Sequence, residues 1–172
     1  MLDYIHSYHN DIPLWYIWVT LIVLLAVILS IMRSSISNKI KWCSVALLGE
    51  YTIMVLSVTV FFRIVHGDNF GVNLLPFLKY KNFYTCTGEV GREIVSNVCM
   101  FVPIGVLSCY IFTHNRFLYT SITAFVISAS IEMLQFVRDC GWCETDDLIL
   151  NVFGAMLGLV LVKILLSLSK LR

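Results

Sequence analysis

Five runs of mostly apolar residues, each about twenty residues long, divide this chain. A helix rises about 1.5 Å per residue, so a run of that length crosses the roughly 30 Å hydrocarbon core of a bilayer. Backbone groups in hydrocarbon can be satisfied only within their own segment, so each run must form a helix. The sequence therefore predicts an all-α membrane bundle, a single domain over 1–172, with about five transmembrane helices. The predicted spans are Ile12–Met32, Cys43–Val65, Ile94–Thr113, Phe117–Val137 and Leu148–Leu168.

The composition agrees with a membrane protein, since 59% of the residues are hydrophobic and 13% are charged. A soluble domain would have too little polar surface with these proportions. The net charge of +1 offers no basic face for a polyanion, so we expect no nucleic-acid partner. We also expect no metal ion and no cofactor, and the sequence does not determine the oligomeric state.

The positive charges indicate how the spans are oriented. Seven of the twelve Lys and Arg residues fall on one side of the predicted spans, and the positive-inside rule assigns that side to the cytoplasm. We therefore expect the N-terminus outside, the C-terminus in the cytoplasm, and the longest connection, 66–93, outside. Pro76 interrupts an apolar stretch, 73–77, of this external loop. That stretch either dips its side chains into the headgroup region or forms a re-entrant lid over the polar residues.

Polar residues line one face of the fourth predicted span. Ser128, Glu132 and Gln135 follow one another at steps of four and three, so they share a helix face. A carboxylate at the centre of a span costs about 2.5–3.5 kcal/mol on insertion scales. Glu132 is therefore expected to face the bundle and to have a partner, and Arg63 and Arg92 are the available cations.

The fifth predicted span begins with two acids. Carboxylates at a helix N-terminus are favoured by unpaired amides and by the helix dipole, so Asp146 in particular also fits a simple capping role. Asp147 and Asn151 share a face of this helix. We expect Asn151 to donate a hydrogen bond across the bundle to Glu132 or Gln135.

Gly154 and Gly158 lie further along the same face, four residues apart. Small residues at this spacing allow the backbones of two membrane helices to approach closely. The pair therefore predicts tight packing against another helix.

With alternating spans, the polar residues at the helix ends gather at the outer face of the membrane. Arginine pairs phosphate or carboxylate through two parallel hydrogen bonds, so the cluster suits an anionic headgroup whose tail remains in lipid. The alternative is a buried polar network that fixes helix register. The candidate catalytic residues are Glu132 and Asp147, and the candidate ligand-binding residues are Arg63, Asn73, Arg92, Asn97, Gln135, Arg138, Asp146 and Asn151.

Four short motifs, in this order, resemble the VanZ-like family of bacterial membrane proteins. They are NLLPF at 73–77, NVCMFVPIG at 97–105, SIEMLQ at 130–135 and DDLILNVFG at 146–154, within a motif-bearing part of about 63–160. The resemblance implies a small multi-pass protein of the bacterial cell membrane, related to a founding member associated with teicoplanin resistance. With the polar cluster at the outer face, we expect membrane lipids as partners, and a lipid-linked cell-wall intermediate or a glycopeptide as a further candidate. The family carries no agreed reaction, so the resemblance leaves open whether the protein is an enzyme.

The turn before the fifth span departs from the family pattern. Family members usually have a basic residue there, whereas this chain has Trp142. Arg138, one turn earlier, is the nearest cation that could replace the missing charge.

Two other functions remain open at the level of sequence. Cys140 and Cys143 form a Cys-x-x-Cys pair, which a membrane thiol-disulfide oxidoreductase could use. The same pair, or either cysteine with Cys86, could instead form a structural disulfide in an oxidising exterior, and free thiols are the third option. Glu50, inside the second predicted span, would be the relay group of a small proton-coupled transporter.

Overall fold

The computed structural model describes residues 36–61, 71–76 and 88–169. Helices α1 and α2 are Ile36–Leu56 and Glu89–Ile111, and helices α3 and α4 are Arg116–Val137 and Thr145–Ser169. A π-helical turn, Ser57–Phe61, continues α1. Two short strands, β1 at Gly71–Asn73 and β2 at Trp142–Glu144, complete the described elements.

The described part of the chain contains four helices long and apolar enough to cross a membrane. They confirm the second to fifth predicted spans, whereas the first, Ile12–Met32, lies outside the described residues. α1, α2 and α4 each begin several residues before the predicted span. The reason is that an apolar run marks only the part of a helix in hydrocarbon, and the helix continues into the polar interface.

Helices α2 and α4 form the most extensive helix pair of the described bundle. A β-carbon at Gly154 would overlap the carbonyl oxygen of Val98, and one at Gly158 would overlap that of Val102. Gly105 makes the same close approach from α2. The two backbones therefore touch, which confirms the tight packing predicted from the glycine spacing.

The largest fully buried side chains lie between the helices. The π-helical turn, α2, α3 and α4 all contribute to this core, through Val60, Phe101, Ile104, Ile131 and Leu159. The core sets the depth at which the polar side chains of neighbouring helices meet.

Helix α1 is fixed to α2 beside a proline. The hydroxyl of Tyr51 donates to the carbonyl oxygen of Met100 at 2.8 Å. Pro103 follows inside α2 and cannot donate a backbone hydrogen bond, which weakens the helix at this point. The Tyr51 hydrogen bond therefore joins the two helices within one turn of this weakened point.

Strand β1 ties the connection between α1 and α2 to the turn between α3 and α4. The two strands are parallel, with Gly71 opposite Trp142 and Asn73 opposite Glu144. A β-carbon at Gly71 would lie 2.7 Å from the Trp142 ring, so the glycine leaves room for the indole. Leu74, just after β1, is 70% exposed. The re-entrant lid stays a prediction, because the loop beyond residue 76 lies outside the described residues.

Candidate functional site

One end of the bundle collects the buried polar side chains near the end of α3 and the start of α4. We call it the polar end and define it by Glu132, Gln135, Asp146 and Asn151. Glu132 and Gln135 are each 4% exposed, and Asp146 and Asn151 are each 2% exposed. Buried polar groups are costly unless they are hydrogen-bonded, so the contacts of each residue indicate its role.

Glu132 joins α3 to β2. Its Oε2 accepts a hydrogen bond from the backbone amide of Glu144 at 2.9 Å. Of the two cations predicted as partners, Arg63 lies outside the described residues, and Arg92 is exposed with its Nε donating to the carbonyl oxygen of Gly88 at 3.2 Å.

Gln135 and Arg138 attach the end of α3 to the end of α1. Gln135 Nε2 donates to the carbonyl oxygen of Thr59 at 3.0 Å, and Arg138 Nη1 donates to that of Val60 at 2.9 Å. The Arg138 guanidinium also lies over the Phe61 ring, 5.2 Å from its centre. Both side chains therefore bind the π-helical turn that continues α1. Arg138 therefore has a structural contact besides its candidate role near the Trp142 turn.

Asn151 has a different partner from the one predicted. Its Nδ2 donates to the hydroxyl of Ser128 at 2.9 Å, instead of to Glu132 or Gln135. α3 and α4 run in opposite directions. Asn151 lies one turn after Asp147 on α4, deeper in the bundle, and it therefore meets Ser128, which lies one turn before Glu132 on α3. Its Oδ1 is buried and has no hydrogen-bond partner within the described residues.

Asn97 and Asn73 complete the amide groups of the predicted site. Asn97 Nδ2 on α2 is also buried without a hydrogen-bond partner in the described part of the chain. Asn73, the last residue of β1, is brought to the polar end by its pairing with Glu144.

Three half-buried acids meet where α2, β2 and α4 come together. Carboxylate oxygens of Glu93, Glu144 and Asp147 lie within 4.8 Å of one another. Such oxygens are ligands that Ca²⁺ and Mg²⁺ prefer, so these residues are the ones that could hold a cation. Sequence reasoning selected Asp147 but missed Glu93 and Glu144, although Glu93 lies one turn before Asn97 and Glu144 lies close to the paired aspartates. The expectation of no metal stays a prediction.

A groove of about 280 Å³ opens between α3, β1 and the start of α4. Its walls are mainly apolar, although Glu132, Cys143, Glu144 and Thr145 are among the residues that line it. Binding sites for drug-sized molecules are typically about 300–1,000 Å³, so this groove fits part of a larger ligand. The apolar residues that line it are Val72, Leu74, Ala129, Met133, Phe136 and Leu148.

The cysteine pair does not form a disulfide in the structure. Cys140 is buried, Cys143 is half-buried, and both are free thiols, which is the third of the options that the sequence left open. A pairing with Cys86 concerns a residue outside the described residues. Burial raises the pKa of the Cys143 thiol, and the charge of Glu132 raises it further. Reactive thiols usually have a lowered pKa, so this environment disfavours the oxidoreductase.

Comparisons with known proteins agree with the motifs. The model of a family described as VanZ/LLP1 matches residues 15–166. A curated relative, "Protein VanZ" of Enterococcus faecium, is 31% identical over 127 residues, which cover 70% of this chain and 74% of that protein. No solved structure matches this chain significantly. With most of its length matched and the described helices able to cross a membrane, the chain belongs to the VanZ/LLP1 family of bacterial membrane proteins.

Proposed function

We propose that this protein protects the bacterial envelope against teicoplanin-type glycopeptides by binding a lipid-linked or anionic envelope component at its polar end. The observation that carries the proposal is the position of Glu132. Glu132 is 4% exposed, and it is one of the residues that line a groove whose walls are mainly apolar. A site with these properties suits a ligand with a polar head and a hydrocarbon tail. The relative named VanZ supports a role of the same kind.

We infer that the polar end faces the outer leaflet. Lys39 and Lys41 lie at the start of α1, and Arg116 begins α3, so these cations belong to the opposite end of the bundle. Lys163 lies near the end of α4, with its Nζ 3.9 Å from the centre of the Phe117 ring. Clustered basic residues favour the cytoplasmic side, which supports the proposed orientation.

Binding is better supported than catalysis. Glu132 and Asp147 are the candidates for a general base, and a base needs to reach the proton that it removes. The described contact of Glu132 is structural, because the carboxylate accepts the amide hydrogen of Glu144. Arg92 and Arg138 are exposed and available to pair with an anionic group at the rim.

The test is the teicoplanin susceptibility of a sensitive Gram-positive host that expresses the wild type or a variant, with membrane levels matched by immunoblot. Glu132→Gln keeps an acceptor for the Glu144 amide but removes the charge, and we expect it to lose resistance. The Cys140→Ser, Cys143→Ser variant and the matched control Glu50→Gln, a carboxyl group halfway along α1, are expected to retain resistance.

Each alternative outcome identifies a different function. Loss of resistance only in the cysteine variant would favour the oxidoreductase, and loss only in Glu50→Gln would favour the proton-coupled transporter. Full resistance in the Glu132→Gln variant would show that this carboxylate is not part of the functional site. A wild type that gives no resistance would refute the proposed phenotype.

A further inference from the structure

We propose that the end of the bundle opposite the polar end binds an anionic phospholipid, whose phosphate lies between Arg116 and Lys163. We call these two residues the cation pair. The site shares no residue with the polar end, so this inference does not depend on the proposed function. It adds a second lipid contact of the protein, at the other side of the membrane.

The cation pair comes from two neighbouring helices at the same level of the bundle. Ser121 of α3 contacts Met156 of α4, and these helices run in opposite directions. Continuing from that contact to the start of α3 brings Arg116 level with the turn of α4 that carries Lys163. The contact of Lys163 agrees, because its Nζ lies 3.9 Å from the centre of the ring of Phe117, the residue after Arg116.

Neither member of the cation pair has a carboxylate partner within the described residues. Arg116 Nε donates to the carbonyl oxygen of Phe112 at 2.8 Å, and its Nη1 lies 3.8 Å from Cys109 Sγ. Among the acids in the described ranges, Glu50 lies halfway along α1, and the others lie where α2 begins, where α3 ends or where α4 begins. Both cations are half-buried, and a half-buried charge without a counter-charge is costly. An anion bound between them would therefore be stabilised.

The chemistry of the cation pair selects a phosphate of net negative charge. A guanidinium has five N–H donors and an ammonium has three, and neither group can accept a hydrogen bond. Arg116 pairs phosphate through parallel hydrogen bonds, and basic pockets between membrane helices bind anionic headgroups. A zwitterionic choline headgroup would bring a third cation close to Lys163, so it is the poorer ligand.

An apolar stripe on α4 leads to the cation pair and favours a lipid over a soluble anion. Phe153, Val160 and Lys163 share one helix face, since they follow at steps of seven and three. Phe153 is 53% exposed and Val160 is 38% exposed, so this face lies on the flank of the bundle, which contacts hydrocarbon. A lipid chain along the stripe would have its phosphate at Lys163.

The experiment maps where an anionic lipid binds. The purified full chain is placed in phosphatidylcholine nanodiscs with a trace of a phosphatidylglycerol that carries a diazirine close to its glycerol backbone. After illumination, peptide mass spectrometry measures the labelling of 117–121 and 156–163, the segments beside the cation pair. The competitors are unlabelled phosphatidylglycerol, additional phosphatidylcholine, inorganic phosphate and glycerophosphoglycerol, which is the headgroup without chains.

We expect phosphatidylglycerol to compete about tenfold better than phosphatidylcholine, since a hydrogen bond to a charged group contributes an affinity difference of that order. Arg116→Gln and Lys163→Gln should each remove this difference. Lys163→Arg keeps the charge and should keep the difference, as should Lys41→Gln, which removes an exposed cation at the same end of the bundle. Should Arg116→Gln fail to fold because the Phe112 contact is lost, Lys163→Gln and Lys163→Arg still decide the result.

Equal competition by phosphatidylcholine, or full selectivity in Lys163→Gln, would overturn the proposal. An equal loss of selectivity in Lys41→Gln would also overturn it, because the effect would then belong to the general charge of this end. Competition by inorganic phosphate or glycerophosphoglycerol at the same concentration would assign the cation pair to a soluble anion instead of a lipid. Labelling that avoids both segments would refute the position of the site.

Discussion

The carboxylate of Glu132 has two measurable effects on the β2 segment. It accepts the amide hydrogen of Glu144 at 2.9 Å, and its charge adds to the effect of burial on the pKa of Cys143. Gln at position 132 would keep an acceptor oxygen and remove the charge. A single substitution therefore separates the structural contact from the electrostatic effect.

We predict that Glu132→Gln lowers the pKa of Cys143 from its raised value but leaves it above the ordinary value. Burial, the larger cause, remains, and the nearby negative charge that opposes the thiolate is removed. The rate of Cys143 alkylation as a function of pH measures the change, with Glu50→Gln as the control. An unchanged or higher pKa would show that the two groups do not interact as described.

Asn151 and Ser128 form the buried polar contact between α4 and α3. A double-mutant cycle with Asn151→Leu and Ser128→Ala is expected to give a coupling energy of about 0.6 kcal/mol, and at most about 1.7 kcal/mol, as for other hydrogen bonds within membranes. Unfolding in mixed micelles measures each free energy. The control cycle pairs Asn151→Leu with Ser121→Ala, whose hydroxyl contacts Met156 Sδ, and its coupling is expected to be near zero. Equal coupling in both cycles would contradict the assigned contact.

At the scale of elements, the contact between α2 and α4 fixes the position of the polar end. Glu93 belongs to α2 and Asp147 to α4, so the distance between their carboxylates depends on how closely these helices approach. Gly154 and Gly158 make that approach possible. Packing deeper in the bundle therefore determines the geometry of the acids at its end.

We predict that Gly158→Ala destabilises the bundle by about 1–3 kcal/mol, because the added methyl group overlaps the Val102 backbone, which cannot move without shifting a helix. Gly91→Ala is the matched control, since nothing lies within 4 Å of a β-carbon there. That control should leave stability unchanged or raise it by less than about 1 kcal/mol. Unfolding in mixed micelles compares the two variants, and equal effects would argue against the close helix contact.

At the scale of the whole molecule, the described bundle has an apolar outer surface and two chemically different ends. Exposed hydrophobic side chains such as Phe125, Leu161 and Leu165 cover the flanks of its helices. In water this surface would drive aggregation, whereas in a bilayer it contacts lipid. The orientation of the bundle then determines which side of the membrane the polar end faces.

We predict that the start of α2 faces the outside and its end faces the cytoplasm. Gly88→Cys and His114→Cys place a thiol at either end, at exposed positions, in a version whose native cysteines are replaced by serine. A membrane-impermeant maleimide applied to intact cells should label Gly88→Cys and not His114→Cys until the cells are opened. The opposite pattern would invert the topology and place the polar end in the cytoplasm.

Some contacts of the polar end could not be read from the sequence. Gln135 and Arg138 bind carbonyl oxygens of the α1 end across more than seventy positions of sequence. Strands β1 and β2 are each three residues long, too short for an alternating pattern to be recognised. The partner of Asn151 was predicted wrongly because the choice depends on the relative depth of two helices.

The sequence by itself determined the apolar spans, the polar faces of α3 and α4 and the close packing at Gly154 and Gly158. Each follows from transfer of side chains into hydrocarbon or from the fixed periodicity of a helix, which act within one segment. Only the tertiary structure decided that Glu132 binds the Glu144 amide, that Glu93 joins the acids and that a groove opens beside them. These features depend on the rotation and depth of one helix against another, and packing of the whole bundle sets both.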